Sequence, residues 1–180
     1  MKRTLLILIV GLTSIGLKAQ TKEETEKFIS KCANEAVGLK TYLRDGDDKI
    51  RVGEMLYEKN EFELAKIFTQ ASRTNYNKGT YTKQSTYTNL IWANVVSVEL
   101  DTIPSLYHED DVATIRIDFS TKIKEIDFCE GGTYNVDCSN TDYWDFFTLI
   151  IPRNRAVACK KAFAHLVKLC KEENKSPFDN

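Results

Sequence analysis

Late in the chain an apolar run, Phe146-Phe147-Thr148-Leu149-Ile150-Ile151, is closed by Pro152 and followed by a long helical pattern that reaches Glu173. No other stretch constrains the fold as much. A short continuous apolar run bounded by a breaker reads as a buried strand. From Arg153 to Glu173, Ala156, Cys159, Phe163, Leu166 and Cys170 recur at steps of three and four, so they share one helix face. Ala162, Val167 and Leu169 widen that face, while Lys160, Lys161, Lys168 and Lys171 fall elsewhere. Asn154 stands where an N-cap belongs, Lys168 and Lys171 suit the negative end of the helix dipole, and Pro177 bars continuation. A buried strand running into such a helix predicts a helix laid over a sheet.

Residues 1–19 read as an export signal. Lys2 and Arg3 precede an apolar core from Leu5 to Leu17, and Leu17-Lys18-Ala19 is an acceptable cleavage site. The run is shorter than the ~20 residues a spanning helix needs. No cysteine lies beside the site for lipid attachment. The expected product begins near Gln20, is periplasmic or extracellular, and keeps no stable membrane span. Removal of this segment takes away Lys2, Arg3 and Lys18 and no acid, so the net charge moves from −1 to −4. A mildly acidic surface argues against nucleic acid as a partner.

Five cysteines remain, at 32, 129, 138, 159 and 170, and an oxidising compartment makes disulfides an expectation. Cys159 and Cys170 cannot pair with each other. Eleven residues of helix at ~1.5 Å each separate them by about 16 Å, against a Cα limit of about 7 Å for a bridge. Cys129 and Cys138 flank Gly131-Gly132 and are candidates to close a hairpin-like loop. Cys32 has two possible partners, Cys159 and Cys170. The alternative for these helix cysteines, small buried hydrophobes, is favoured.

Thr21 with Glu24 forms a capping box, and Phe28, Cys32, Ala36 and Leu39 come after it at helical spacing, which predicts a helix to about Tyr42. Asp45-Gly46-Asp47-Asp48 ends it as a turn, and Ile50 to Tyr57 reads as a strand. Phe62 to Ala71 fits both a helix and a strand. The β character of the chain beyond Ala71 favours the strand, with Tyr57 to Phe62 as the turn before it. Thr80 to Thr88 is rich in Thr and Tyr and reads as a polar edge strand. Val96, Val98 and Leu100 alternate with polar residues. So do Ala113, Ile115, Ile117 and Phe119, a half-buried pattern. Ile123 to Phe128 adds a short strand, and Ser139 to Asp145 reads as a loop.

The sum is α+β: one helix, about seven antiparallel strands and a terminal helix. Trp92-Ala93-Asn94-Val95-Val96-Ser97-Val98 and Lys161-Ala162-Phe163-Ala164-His165-Leu166 resemble a strand and the capping helix of exported bacterial pleckstrin-homology-like (PH-like) proteins. That resemblance, over about residues 49 to 173, implies a PH-like barrel with an extra N-terminal helix and a binding or scaffolding role without catalysis. The organisation expected is a signal peptide over 1–19, a helix and turn over 20–48, and the barrel with its helix over 49–180.

Chemistry is sparse. The only histidines are His108, in an acidic loop, and His165, beside the apolar stripe of the last helix. No nucleophile elbow, zinc-binding helix or Gly-rich phosphate loop occurs. Cys159 and His165 are six residues apart, on different helix faces. Acidic groups at 45–48, 109–111, 130, 137, 142 and 145 lack the spacing of a calcium loop. No metal and no cofactor are expected. Tyr76, Tyr81 and Tyr87, with Trp92, are the binding candidates, able to stack on a sugar or a peptide. The reading favoured is a non-catalytic module for a protein, peptide or envelope component. A secreted enzyme or inhibitor using the acidic loops, and a carbohydrate binder, are the alternatives.

Overall fold

The structure is a computed structural model and describes residues 20–45, 50–101, 106–108, 112–133 and 138–175. Residues 1–19, expected to be an export signal, and most of the 45–48 turn lie outside them, as do 109–111, Asp137 and Pro177. Helix α1 (Lys22–Asn34) is followed by β1 (Lys40–Asp45), β2 (Ile50–Glu63), β3 (Lys66–Asn75) and β4 (Gly79–Thr88). A short 3-10 turn (Trp92–Asn94) leads to β5 (Val95–Asp101), β6 (Leu106–His108), β7 (Val112–Glu130) and β8 (Asn140–Pro152). A second 3-10 turn (Arg153–Arg155) opens helix α2 (Ala156–Glu173).

All strand pairs are antiparallel, in the order β5-β7-β4-β3-β2-β1-β6, with β8 along the other edge of β7. The 19-residue β7 organises this. Its first half pairs with β5 and its second half with β4, while β8 tracks both halves across a register shift between Asp118 and Ile123. Such an irregularity bends a strand and increases its twist. The sheet curls into an α+β half-barrel, the C-terminal helix against it and an extra helix at the N-terminus, as expected of a PH-like barrel.

The main core gathers Ile29, Cys32 and Ala33 of α1, Ile115, Ile117 and Phe119 of β7, Phe147, Leu149 and Ile151 of β8, and the face of α2. Every residue of the helix stripe from Ala156 to Cys170 is buried. A second, smaller cluster joins Ala36, Met55, Tyr57, Ala71, Val112 and Ile150. The two helices are tied at both ends, by Lys22 to Glu173 at 2.7 Å and by Arg155 to Glu35 at 2.8 Å. Exposed pairs of this kind add about 0–1 kcal/mol each, so the buried stripe holds the helices together.

Several elements differ from the sequence reading. Helix α1 stops at Asn34, not near Tyr42, because the chain turns through Gly38 at φ 86° and Tyr42 already lies on β1. Ala36 and Leu39 keep the helical spacing only because the turn also delivers them to the second cluster. Tyr57 to Phe62 is strand, and the hairpin turns at Leu64-Ala65. A bulge between Tyr57 and Lys59 shifts the alternation, so Tyr57, Asn60 and Phe62 are buried while Glu58, Lys59 and Glu61 are exposed. Phe62 to Ala71 is strand and turn, as favoured.

Strand β4 is interior, between β3 and β7, and not an edge. Residues 140–145 belong to β8, where the β-formers Thr141, Tyr143 and Trp144 pair with β7. Ile123 to Phe128 is the second half of β7 and not a separate strand. In β5 a bulge after Val95 leaves Val96 69% exposed. Asn154 lies in the 3-10 turn and does not cap α2, whose N-cap position is Arg155.

Candidate functional site

Between the two clusters the curled sheet leaves a polar cavity of about 110 Å³. Its wall is dictated by strand alternation. Tyr57, Ala71 and Lys83 are directly opposed across β2, β3 and β4, and one step along the strands so are Asn60, Thr69 and Ser85. Arg73 continues the β3 row, Tyr87 the β4 row, and Thr148 and Ile150 close the space from β8. Met55, Ala71 and Ile150 supply apolar surface. The rest of the lining is polar, which a strand interior does not tolerate without partners.

Some partners are present. Lys83 Nζ lies 2.5 Å from Asp127 Oδ2, and the Ser85 hydroxyl donates to Asp127 Oδ1 at 2.5 Å. The side-chain amide of Asn60, a residue only 1% exposed, donates to the Ala33 carbonyl at 3.2 Å, which fixes it against α1. Two groups have none. Asn60 Oδ1 and Arg73 Nε are buried without a hydrogen-bond partner. Each such group costs about 1–3 kcal/mol. Two on one cavity wall are a feature to be explained.

Burial pushes the Tyr57 phenol well above its ordinary range, although the Arg73 charge acts the other way. Burial, then the neighbouring Glu125 carboxylate, do the same to Tyr87. Both phenols are therefore neutral donors at any physiological pH. Raised folded-state values contribute stability that is complete below the unfolded phenol value near 10 and is lost as pH rises above it. Urea midpoints should thus hold from neutrality to about pH 10 and fall beyond it, and Tyr57→Phe should flatten that fall.

No protein-family model, curated protein or solved structure matches this chain.

The four aromatic candidates do not form one surface. Tyr76 is 52% exposed in the β3–β4 turn, and Tyr81 is half-buried on β4 opposite Arg73. Tyr87 packs on Phe147 at 5.7 Å and is the only one of the four that lines the cavity. Trp92 is 4% exposed, donates to the Leu64 carbonyl at 2.7 Å and stacks on Phe163 at 5.8 Å.

Of the candidate bridges, the one between Cys129 and Cys138 is present. Cys129 and Cys138 are joined, Cα atoms 5.3 Å apart, and Thr133 Oγ1, four residues after Cys129, accepts from the Thr80 N–H at 3.0 Å. Gly132 is required there, because a Cβ at that position would meet the Thr80 carbonyl oxygen. Cys32 meets Cys159, not Cys170, as hydrogen-bonded free thiols; that contact and then burial push the Cys159 thiol up. Burial does the same at Cys170.

His165 Nε2 lies 2.9 Å from the Gln20 carbonyl oxygen, away from the cavity, and His108 is on the short strand β6. Among the described residues that line the cavity there is no histidine or cysteine, and the one serine, Ser85, is bonded to the Asp127 carboxylate. Among the described residues no three His, Cys, Asp or Glu gather as a metal site, and no helix is long and apolar enough to cross a membrane. What this arrangement can do is hold something polar.

Arg73, Asn60, Tyr57, Lys83 and Ser85 escape the sequence reading. The signal available is phase. Thr69 and Arg73 alternate in step with the apolar Ile67 and Ala71, and Lys83 and Ser85 in step with Tyr87. Polar residues in phase with the buried face of a strand mark an interior polar site.

Proposed function

We propose that the protein is an exported, non-catalytic binding module that takes its ligand in the cavity between the two core clusters. The observation that carries this is the pair of buried, unpartnered polar groups on one wall, Asn60 Oδ1 and Arg73 Nε. A ligand would satisfy both and recover what their burial costs. A disulfide and the export-signal pattern of residues 1–19 support a life outside the cytoplasm. The resemblance to PH-like modules supports binding over catalysis. The same cavity directs attention from a protein or peptide partner to a small molecule, because a volume of about 110 Å³ is far below the 300–1,000 Å³ of sites for drug-sized ligands.

A thermal-shift screen of small polar compounds tests this on the intact protein. The expected result is at least one compound class that raises the melting temperature of the wild type and not of Arg73→Met. Silence across the screen, with only ordered water in the cavity of a crystal structure, would overturn it. So would turnover in a broad hydrolase screen that is lost on substitution of His108 or His165.

A further inference from the structure

Three properties of the cavity restrict what it can hold. The first is size. An apolar cavity of about 150 Å³ accommodates a benzene ring of six carbons, so about 110 Å³ suits roughly four or five non-hydrogen atoms. The second is charge. Lys83 is neutralised by Asp127 at 2.5 Å, which leaves the Arg73 guanidinium as the uncompensated charge among the described lining residues. A monoanion balances it, whereas a dianion would leave one negative charge in a partly desolvated site. The third is the order of donors and acceptors. Arg73 Nε offers a free N–H, and Asn60 Oδ1 offers a free acceptor that its other bond, to the Ala33 carbonyl, prevents from being exchanged for a donor.

We infer that the cavity binds a small monocarboxylate carrying a hydroxyl donor next to its carboxyl group, a 2-hydroxy acid of the smallest size. Its carboxylate sits on Arg73 and its donor turns to Asn60 Oδ1. This rests on the reading of the cavity as the ligand seat. Arginine is suited to the role because its planar fork matches a carboxylate. Asn60 is suited because an anionic oxygen placed against an amide oxygen is repelled while a hydroxyl is not. The acceptor therefore selects against simple anions, and the guanidinium against neutral alcohols and amides.

Amide chemical shifts of the full folded protein, tracked during titration, test the assignment with four probes: glycolate, acetate, glycolamide and inorganic phosphate. Glycolate should move the amide signals of Asn60, Thr69, Arg73 and Ser85. It should bind about ten-fold more tightly than acetate, which lacks the donor, and more than ten-fold more tightly than glycolamide, which lacks the charge. Arg73→Gln should abolish the response to glycolate, and Arg73→Lys should retain only part of it. Equal binding of glycolamide and glycolate at these amides would overturn the carboxylate assignment and leave the ligand seat standing, as would tighter binding of phosphate. No movement of these amides with any probe or with a neutral fragment set would overturn both.

Discussion

Trp92→Ala should lower the unfolding free energy by about 3–5 kcal/mol, the range for removal of a large buried aromatic side chain. Trp92 stands at the centre of the main core, with ring centroids 5.6 Å from Phe62, 6.0 Å from Phe119, 6.3 Å from Phe147 and 5.8 Å from Phe163. It therefore joins β2, β7, β8 and α2. Its indole N–H also satisfies the Leu64 carbonyl in the β2–β3 turn at 2.7 Å. Trp92→Phe separates the two contributions. It keeps most of the packing but leaves that carbonyl without its donor, and should cost about 1–3 kcal/mol. Urea unfolding monitored by circular dichroism measures both. A loss under about 0.5 kcal/mol for Trp92→Ala, typical of surface positions, would mean that the indole serves a ligand and not the core.

Joint replacement of Cys129 and Cys138 by serine should destabilise the protein by about 2–3 kcal/mol, the loop-entropy value for a short closed loop. The nine-residue separation makes the loop small. The effect should also be local. Cys129 pairs with Lys83 on β4, and Thr133 accepts from the Thr80 N–H, so the bridge staples the ends of β4 and β7. Hydrogen exchange should speed up at residues 80–83 and 128–130 before it does elsewhere. Thiol titration of the untreated wild type gives an independent check. Three thiols, those of Cys32, Cys159 and Cys170, should react in denaturant, and almost none in the native state, where all three are buried. Five reactive thiols in denaturant would rule the bridge out.

The parts of the fold legible in the sequence are those whose periodicity is long and local. The stripe of α2 repeats over about four turns and is buried throughout, and Ile115, Ile117 and Phe119 fall on the core side of β7. Pattern misleads where one inserted position breaks the period. The bulge at Tyr57–Lys59 turns an alternating strand into an apparent polar turn, and the bulge after Val95 puts Val96 outside. Placement of β4 is hidden for another reason. Its neighbour β7 lies some forty residues further along, and sequence-local pattern carries no information about which strand covers an edge.

The cavity shares both difficulties. It depends on the curl of the sheet, which brings Thr148 and Ile150 of β8 to the wall built by β2, β3 and β4. Its polar residues are ordinary in isolation. Arg73 in a stretch rich in Thr, Ser and Asn reads as surface until its Nε is found buried without a partner. Tyr87 is the single point of contact between the aromatic span singled out in the sequence and the cavity.

A residue kept for a ligand and not for the fold should be dispensable to stability, and sites of that kind often cost stability. The most direct test is the unfolding free energy of Arg73→Met in the absence of any ligand. Methionine retains most of the side-chain length and removes the unpartnered donor. Stability equal to the wild type or higher by up to about 1 kcal/mol is expected. A loss of more than about 2 kcal/mol, well beyond the roughly 0.5 kcal/mol of a position that the fold does not use, would make Arg73 a structural residue.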